Sequence, residues 1–207
     1  FKGILFAAGD PNNPSYLWHS EINTPELCPT TNFIRVGLGD GLKISGLAIQ
    51  GDTVTISKSD DNGSTASYSL YVADAVGSTS TSNWYLQKSD SAEGSESHRA
   101  MVNFSNVVSL FNRDGCFAFA GNNLVTTPAE TNLGTQRVDS LSFNVEPDFQ
   151  AFKKSLLPKA AGILYNNKVY FTVASTSASS ENDKLYVFDF VMAKTSDRVT
   201  GSWIPST

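Results

Sequence analysis

An all-β fold is predicted for this 207-residue chain, and three observations carry the prediction. Short runs of β-branched and aromatic residues recur along the whole sequence, clusters of Gly, Pro, Asn and Asp separate them, and charged residues make up only 17%. Soluble domains usually carry roughly 25%. Ser, Thr, Asn and Gly fill the difference, as suits strands whose turns and outer faces are polar but uncharged. Strands of this length and spacing fit a sandwich, a barrel or a radial array of sheets.

The expected strands are 3–8, 16–19, 33–36, 42–50, 53–57, 68–73, 84–87, 101–104, 107–111, 116–120, 141–145, 162–165, 169–174 and 185–190. In the next to last, Val169, Phe171 and Val173 share one face, the pattern of a half-buried antiparallel strand. Asn166-Asn167 suits a two-residue type I′ hairpin, because Asn tolerates the positive φ needed at both central positions. Gly51-Asp52 closes a hairpin in the same way, and Arg113-Asp114-Gly115 joins two more strands. One helix is expected near 148–156. Pro147 pre-sets φ at its start, Asp148 suits the positive end of the dipole, and Phe149, Phe152 and Leu156 fall on one face before Pro158 ends it. The Ser-rich segments 77–83 and 175–183 lack an apolar face and are expected to be surface loops.

The chain has a net charge of −5, and its 15 cations are scattered, with Lys153-Lys154 the only adjacent pair. That argues against a surface that coats nucleic acid, which needs clustered Lys and Arg. No run of about 18 apolar residues predicts a membrane-spanning helix. Beginning at Phe1, residues 1–207 are expected to be a single β-rich domain that is a fragment or mature part of a longer chain. Cys28 follows a turn and Cys116 lies in an apolar strand, so two free, mostly buried thiols are expected, with a disulfide as the alternative.

No motif selects a catalytic, cofactor or metal site. Ser59-Asp60-Asp61-Asn62-Gly63-Ser64-Thr65 resembles the Asp-box turn of sialidase-type sheets, although Ala66 stands where an aromatic residue is usual. Such a box is a folding device, with Asp accepting backbone N–H bonds and Gly supplying positive φ. A glycosidase needs two carboxylates facing across a cleft, and nothing in the spacing of Asp10, Glu21, Glu26, Glu146, Asp148 and Asp189 picks a pair. His19 and His98, the only histidines, stand apart in turn or strand-edge contexts. Gly37-Leu38-Gly39-Asp40-Gly41 lacks the helix and lysine of a phosphate loop and fits a turn. Four aromatic residues near loops, Trp18, Trp84, Tyr85 and Trp203, are the binding candidates, with packing between sheets as their alternative role.

A grammar of apolar strand, tight polar turn and second apolar strand recurs at 47–54, 107–119 and 161–171, about every 55 to 60 residues. It predicts a propeller-like arrangement of antiparallel blades, three or four in number and too few to close a ring alone. A β-sandwich or jelly roll is the alternative architecture.

The opening Ala8-Gly9-Asp10-Pro11-Asn12-Asn13-Pro14, continuing through Leu17-Trp18-His19-Ser20-Glu21 to Pro25-Glu26, resembles the start of the β-propeller tail nozzle proteins of short-tailed bacteriophages, the tail tubular protein B type. Further similar segments follow in the family's order. They are Pro29-Thr30-Thr31-Asn32-Phe33 with Gly37-Leu38-Gly39-Asp40-Gly41, then Arg113-Asp114-Gly115, Val145-Glu146-Pro147-Asp148-Phe149, 160–171 and 182–190, with Gly201-Ser202-Trp203 at the close. The chain departs from the pattern at 55–83, where the Asp-box-like turn and a Ser/Thr loop replace a compact hairpin.

The resemblance implies a non-enzymatic virion component, assembled in the bacterial cytoplasm and located in the tail. Its copies would form a ring beneath the portal and adaptor, through which DNA leaves the head without tight binding. No cofactor is implied. The alternative function is a carbohydrate-binding or glycoside-cleaving receptor-binding protein with a sialidase-like propeller, taking a glycan as ligand.

Overall fold

The computed structural model describes residues 1–73, 81–89, 91–104, 106–120, 124–127, 130–133, 137–142, 146–192 and 199–205. Every strand pairing within them is antiparallel. The first sheet holds β1 (Phe6–Ala7), β2 (Tyr16–His19) and β3 (Phe33–Arg35) in that order. The second is a four-stranded meander of β4 (Lys43–Gln50), β5 (Thr53–Ser59), β6 (Thr65–Tyr71) and β7 (Tyr85–Lys88).

The third sheet runs through β8 (Asn103–Phe104), β9 (Val107–Asn112) and β10 (Gly115–Ala120). A separate hairpin of β11 (Leu124–Thr127) and β12 (Glu130–Leu133) precedes its last strand, β13 (Arg137–Ser140). After the helix α1 (Glu146–Ala151), β14 (Ala161–Tyr165), β15 (Lys168–Val173), β16 (Lys184–Met192) and β17 (Val199–Pro205) form a fourth sheet, again a meander. The fold is thus all-β, as predicted.

Three apolar clusters layer these sheets in chain order. Leu17 and Val36 from the first sheet and its exit pack with Ile44, Val54, Ile56, Tyr68 and Leu70 of the second. Val108, Leu110 and Phe119 of the third sheet meet Ala48 of the second. The other face of the third sheet, with Val107, Phe111, Cys116 and Ala118, meets Val169, Phe171, Val173 and Phe188 of the fourth, and Phe149 and Phe152 cap that layer. The middle sheets are therefore covered on both faces. This is why every residue of β5 and of β9 is buried, although antiparallel strands commonly wet one face.

The hydroxyl face of β5 corrects one expectation. Thr53, Thr55, Ser57 and Ser59 are buried and do not face solvent. Thr55 donates to Gln50 Oε1 at 3.0 Å and Ser57 to the Ser95 carbonyl at 3.0 Å. Gln50 Nε2 in turn donates to the carbonyls of Phe119 at 2.7 Å and Asn106 at 2.9 Å, tying the second sheet to the third. Buried amides and hydroxyls are tolerated when bonded in this way.

At the junction of the first two sheets, the fully buried Lys58 ammonium donates to the carbonyls of Val36 at 2.7 Å and Gly37 at 3.2 Å. It also donates to Ser15 Oγ at 3.1 Å and Asp40 Oδ1 at 2.6 Å. The glycine-rich segment is thus the loop that wraps this lysine. Gly37 sits at φ +60°, and a Cβ there would collide with the Asp40 carboxylate and the Tyr68 hydroxyl.

The typed turns form as expected. Asn166 and Asn167 take φ of 48° and 58° between β14 and β15. Gly51 takes 53° between β4 and β5. In the Asp-box-like hairpin, Asp60 Oδ1 accepts from the N–H groups of Asn62 at 3.0 Å and Ser64 at 2.7 Å, with Gly63 at φ +97°.

The helix is shorter than predicted. The Lys153 N–H turns away to the Ala174 carbonyl at 3.1 Å, so the α-helix stops and a 3-10 turn covers Lys154–Lys159 with Pro158 inside it. The tighter winding accommodates a residue that clashes with an α-helical i−4 carbonyl. Leu157, not Leu156, becomes buried.

The strand expected at 3–8 shrinks to β1, because Lys2 and Gly3 take positive φ. The strand expected at 141–145 falls earlier, at β13. Leu141 and Ser142 leave it and donate to the Cys116 carbonyl, while 143–145 lie outside the described residues. The loop expected at 77–83 is described only at Thr81–Asn83, a 3-10 turn. Cys116 is buried as expected but Cys28 is exposed, and both are free thiols.

Two carboxylates organise turns, Asp10 half-buried and Asp183 exposed. Asp10 accepts from Asn13 Nδ2 and from the Asn12 N–H, each at 2.9 Å. Asp183 accepts from the Ser179 hydroxyl at 2.6 Å and the Ser175 N–H at 2.7 Å, closing the segment expected to be a loop. The bond from the Asn13 side chain, first, and from the Asn12 N–H holds the Asp10 carboxyl below its ordinary value. The Ser179 hydroxyl, with the Ser175 N–H, does the same for Asp183. A lowered folded pKa gives stability that is present above the unfolded value and lost as pH falls through the folded one. Thermal melts taken from about pH 5 to about pH 2 should therefore show a declining midpoint, with a shallower decline in Asp183→Asn. Equal slopes in the two proteins would contradict this role.

Candidate functional site

Loops from two sheets and the helical segment converge on a cleft of about 950 Å³. The start of β4 supplies Lys43, the β5–β6 turn supplies Asp60 and Asp61, and the 3-10 turn His98–Ala100 supplies His98 and Arg99. Glu96 precedes that turn, Arg113 comes from the β9–β10 turn, and Lys154 and Lys159 come from the 3-10 turn after α1. Five cations and three carboxylates thus line one cleft. In the sequence these cations lie in four segments, around residues 43, 99, 113 and 154–159, and the topology brings the segments together.

Their geometry is defined by hydrogen bonds. Glu96, whose side chain is 4% exposed, accepts from the Arg113 N–H at 3.0 Å and from Nε and Nη2 at 3.2 Å each. These bonds push the Arg113 guanidinium above its ordinary value. Arg113 Nη1 also donates to the Asn62 carbonyl, which links the two hairpin turns. Lys154 Nζ donates to the carbonyls of Arg113 and, at 3.0 Å, Phe149. Burial pulls the Lys154 ammonium below its ordinary value, with Asp114 opposing and Arg113 reinforcing that shift. Lys43 pairs with Asp61. His98 Nδ1 accepts from the Leu47 N–H at 3.3 Å, which leaves Nε2 to carry the proton of the neutral ring. Arg99 and Lys159 are exposed.

A second groove, of about 910 Å³, runs between β1 and β4 and is apolar, with Phe6, Ile44, Leu47, Val54 and Met101 among its walls.

The four aromatic candidates do not come together. Trp203 sits between sheets, its Nε1–H donating to the Leu141 carbonyl at 2.7 Å and its ring 5.0 Å from Phe188 and 5.4 Å from Phe149. Trp84 packs on Phe6 at 5.8 Å and His19 at 4.9 Å. Tyr85 is 39% exposed, 6.4 Å from Tyr71. Trp18 belongs to a half-buried face of the first sheet, where Phe33 stacks on Tyr16 at 4.4 Å and lies 5.3 Å from Trp18. The Arg35 guanidinium lies 5.3 Å from the Tyr16 ring.

His19, expected in a turn at the surface, is 2% exposed. Among the candidate carboxylates, Glu21 accepts from Asn32 Nδ2 at 2.8 Å, Asp148 from the Tyr186 hydroxyl at 3.0 Å, and Asp189 pairs with Lys168 at 2.9 Å. Glu26 is exposed and Glu146 opens α1. No group of three or more His, Cys, Asp or Glu able to hold a metal occurs among the described residues. Among them, too, no helix is long and apolar enough to cross a membrane.

Comparison with models of known families and with characterised proteins found no match.

Glu96 is the residue on which the cleft wall depends, because it fixes both the backbone and the guanidinium of Arg113. Glu96→Gln would turn an amide donor toward a guanidinium donor in a nearly buried place. A loss of about 1–3 kcal/mol is expected in urea denaturation. An unchanged midpoint would mean that Arg113 is held by other contacts.

Proposed function

We propose that this chain is a structural, non-enzymatic subunit, or part of one, of a tail nozzle of the kind found in short-tailed bacteriophages, with its sheets arranged as propeller blades. The observation that carries the reading is the succession of antiparallel sheets, one of three strands and three of four, packed face to face in chain order. Consecutive hairpin-linked sheets layered in this way suit blades around an axis.

The segments that resemble the nozzle family have architectural work in this fold. Asp10 of the Gly-Asp-Pro corner organises its turn, and the Gly37–Asp40 loop encloses Lys58. A net charge of −5 suits a conduit from which DNA must slide freely. The surface contacts of such a subunit would be with identical copies and with portal and adaptor proteins, in a head-to-tail ring.

One observation favours a second reading, that of a glycan-binding receptor protein. Tyr16, Trp18 and Phe33 with Arg35 form an aromatic face on the first sheet, of the kind on which sugar rings stack. Loss of glycan-array binding in Trp18→Ala would support that alternative.

Light scattering tests the nozzle reading. The chain alone should be monomeric or weakly associating, and should form rings only with the portal complex or with further parts of its own protein. A stable closed ring from this segment alone would show that the ring contacts are local. Tight binding of duplex DNA at physiological salt would contradict the conduit.

A further inference from the structure

We infer that the cleft between the β5–β6 turn, the β9–β10 turn and the 3-10 segment after α1 is a binding site for a compact polyanion, a small molecule bearing phosphoryl groups. This goes beyond the nozzle reading and does not depend on it.

The first argument is charge. Five cations line the cleft in a chain whose net charge is −5. Two of the three carboxylates are already paired, Asp61 with Lys43 and Glu96 with Arg113. The third, Asp60, uses Oδ1 to accept the N–H groups of Asn62 and Ser64. Arg99, Lys154 and Lys159 are left with no ion pair to a described carboxylate. Five cations against three carboxylates leave the lining with an excess of two positive charges, a local field opposite in sign to the net charge of the molecule.

The second argument is donor geometry. Lys154 is oriented by two carbonyls, which use two of its three protons and leave one. His98 accepts at Nδ1 and so presents Nε2–H as a donor. Arg99 adds a planar fork suited to bidentate phosphate recognition. Lys154, His98 and Arg99 thus each offer an N–H group to a bound oxyanion. A volume of about 950 Å³ is that of a small-molecule pocket.

A nucleic-acid backbone fits less well. It would need the basic surface to continue beyond the cleft, whereas the lining includes Asp61, whose side chain is 91% exposed.

Calorimetric titration of the full chain with inorganic pyrophosphate tests the inference, because Arg99 and Lys159 are exposed and can be replaced without touching the core. Saturable one-to-one binding is expected, weakened about tenfold by Arg99→Ala or Lys159→Ala and about a hundredfold by both together. Thermal melts of the variants should match the parent. Absence of saturable binding would overturn the proposal, as would equal affinity in the double variant. So would tighter binding of a short DNA duplex than of pyrophosphate at the same salt, since the site would then serve a polymer.

Discussion

The arrangement of the first sheet against the second depends on one buried ammonium. Lys58 lies on β5 with its side chain fully enclosed, and its proton donors meet Ser15 in the turn before β2 and Val36, Gly37 and Asp40 in the loop that leaves the first sheet. An ammonium out of water is costly unless paired and hydrogen-bonded, so the loop must close around it in one conformation. The Tyr68 hydroxyl donates to the other oxygen of Asp40 at 3.1 Å. Burial, and then the Asp40 charge, push that phenol up to about 12. Gly37 is required because any side chain would enter the same space.

Beyond that junction the controlling constraint is that interior sheets have two faces and no wet side. Apolar side chains meet across the first and third layers, whereas the face of β5 toward the third sheet carries Thr55 and Ser57 with Gln50 beside them. Small hydroxyls are bonded locally there, and the Gln50 amide reaches across to the next sheet. Ser67 and Ser69 on the neighbouring strand are buried without a hydroxyl partner among the described residues, so that layer is held by packing as well as by hydrogen bonds. The same layering brings the turns of successive sheets side by side, and this is how cations from distant segments come to share a cleft.

Much of this was legible in the sequence, for local reasons. The β2 boundaries, the Asn166-Asn167 hairpin and the alternation of Val169, Phe171 and Val173 follow from backbone preference and period, which a short window contains. What a window lacks is the neighbour. The pattern predicts a helix running to 156, but the Lys153 N–H takes the Ala174 carbonyl just past β15. His19 has the local pattern of a turn or strand-edge residue, yet it is buried with the Trp84 ring, from a distant segment, 4.9 Å away. The strands β11, β12 and β17 interrupt their few apolar residues with Thr, Asn, Gly and Ser, and each pairs with the strand before or after it in the chain. The charged cleft was invisible for the same reason, since its cations come from four segments far apart in the chain.

A double-mutant cycle between Lys58 and Asp40, read by urea denaturation, tests the central claim most directly. If the buried ammonium anchors the first sheet, Lys58→Met should cost about 3–5 kcal/mol, because it leaves a mostly buried carboxylate without its cation. Asp40→Asn should then cost far less in the Lys58→Met background than in the parent. Additive effects, or a Lys58→Met protein as stable as the parent, would contradict the account and show that apolar packing alone sets the first sheet on the second.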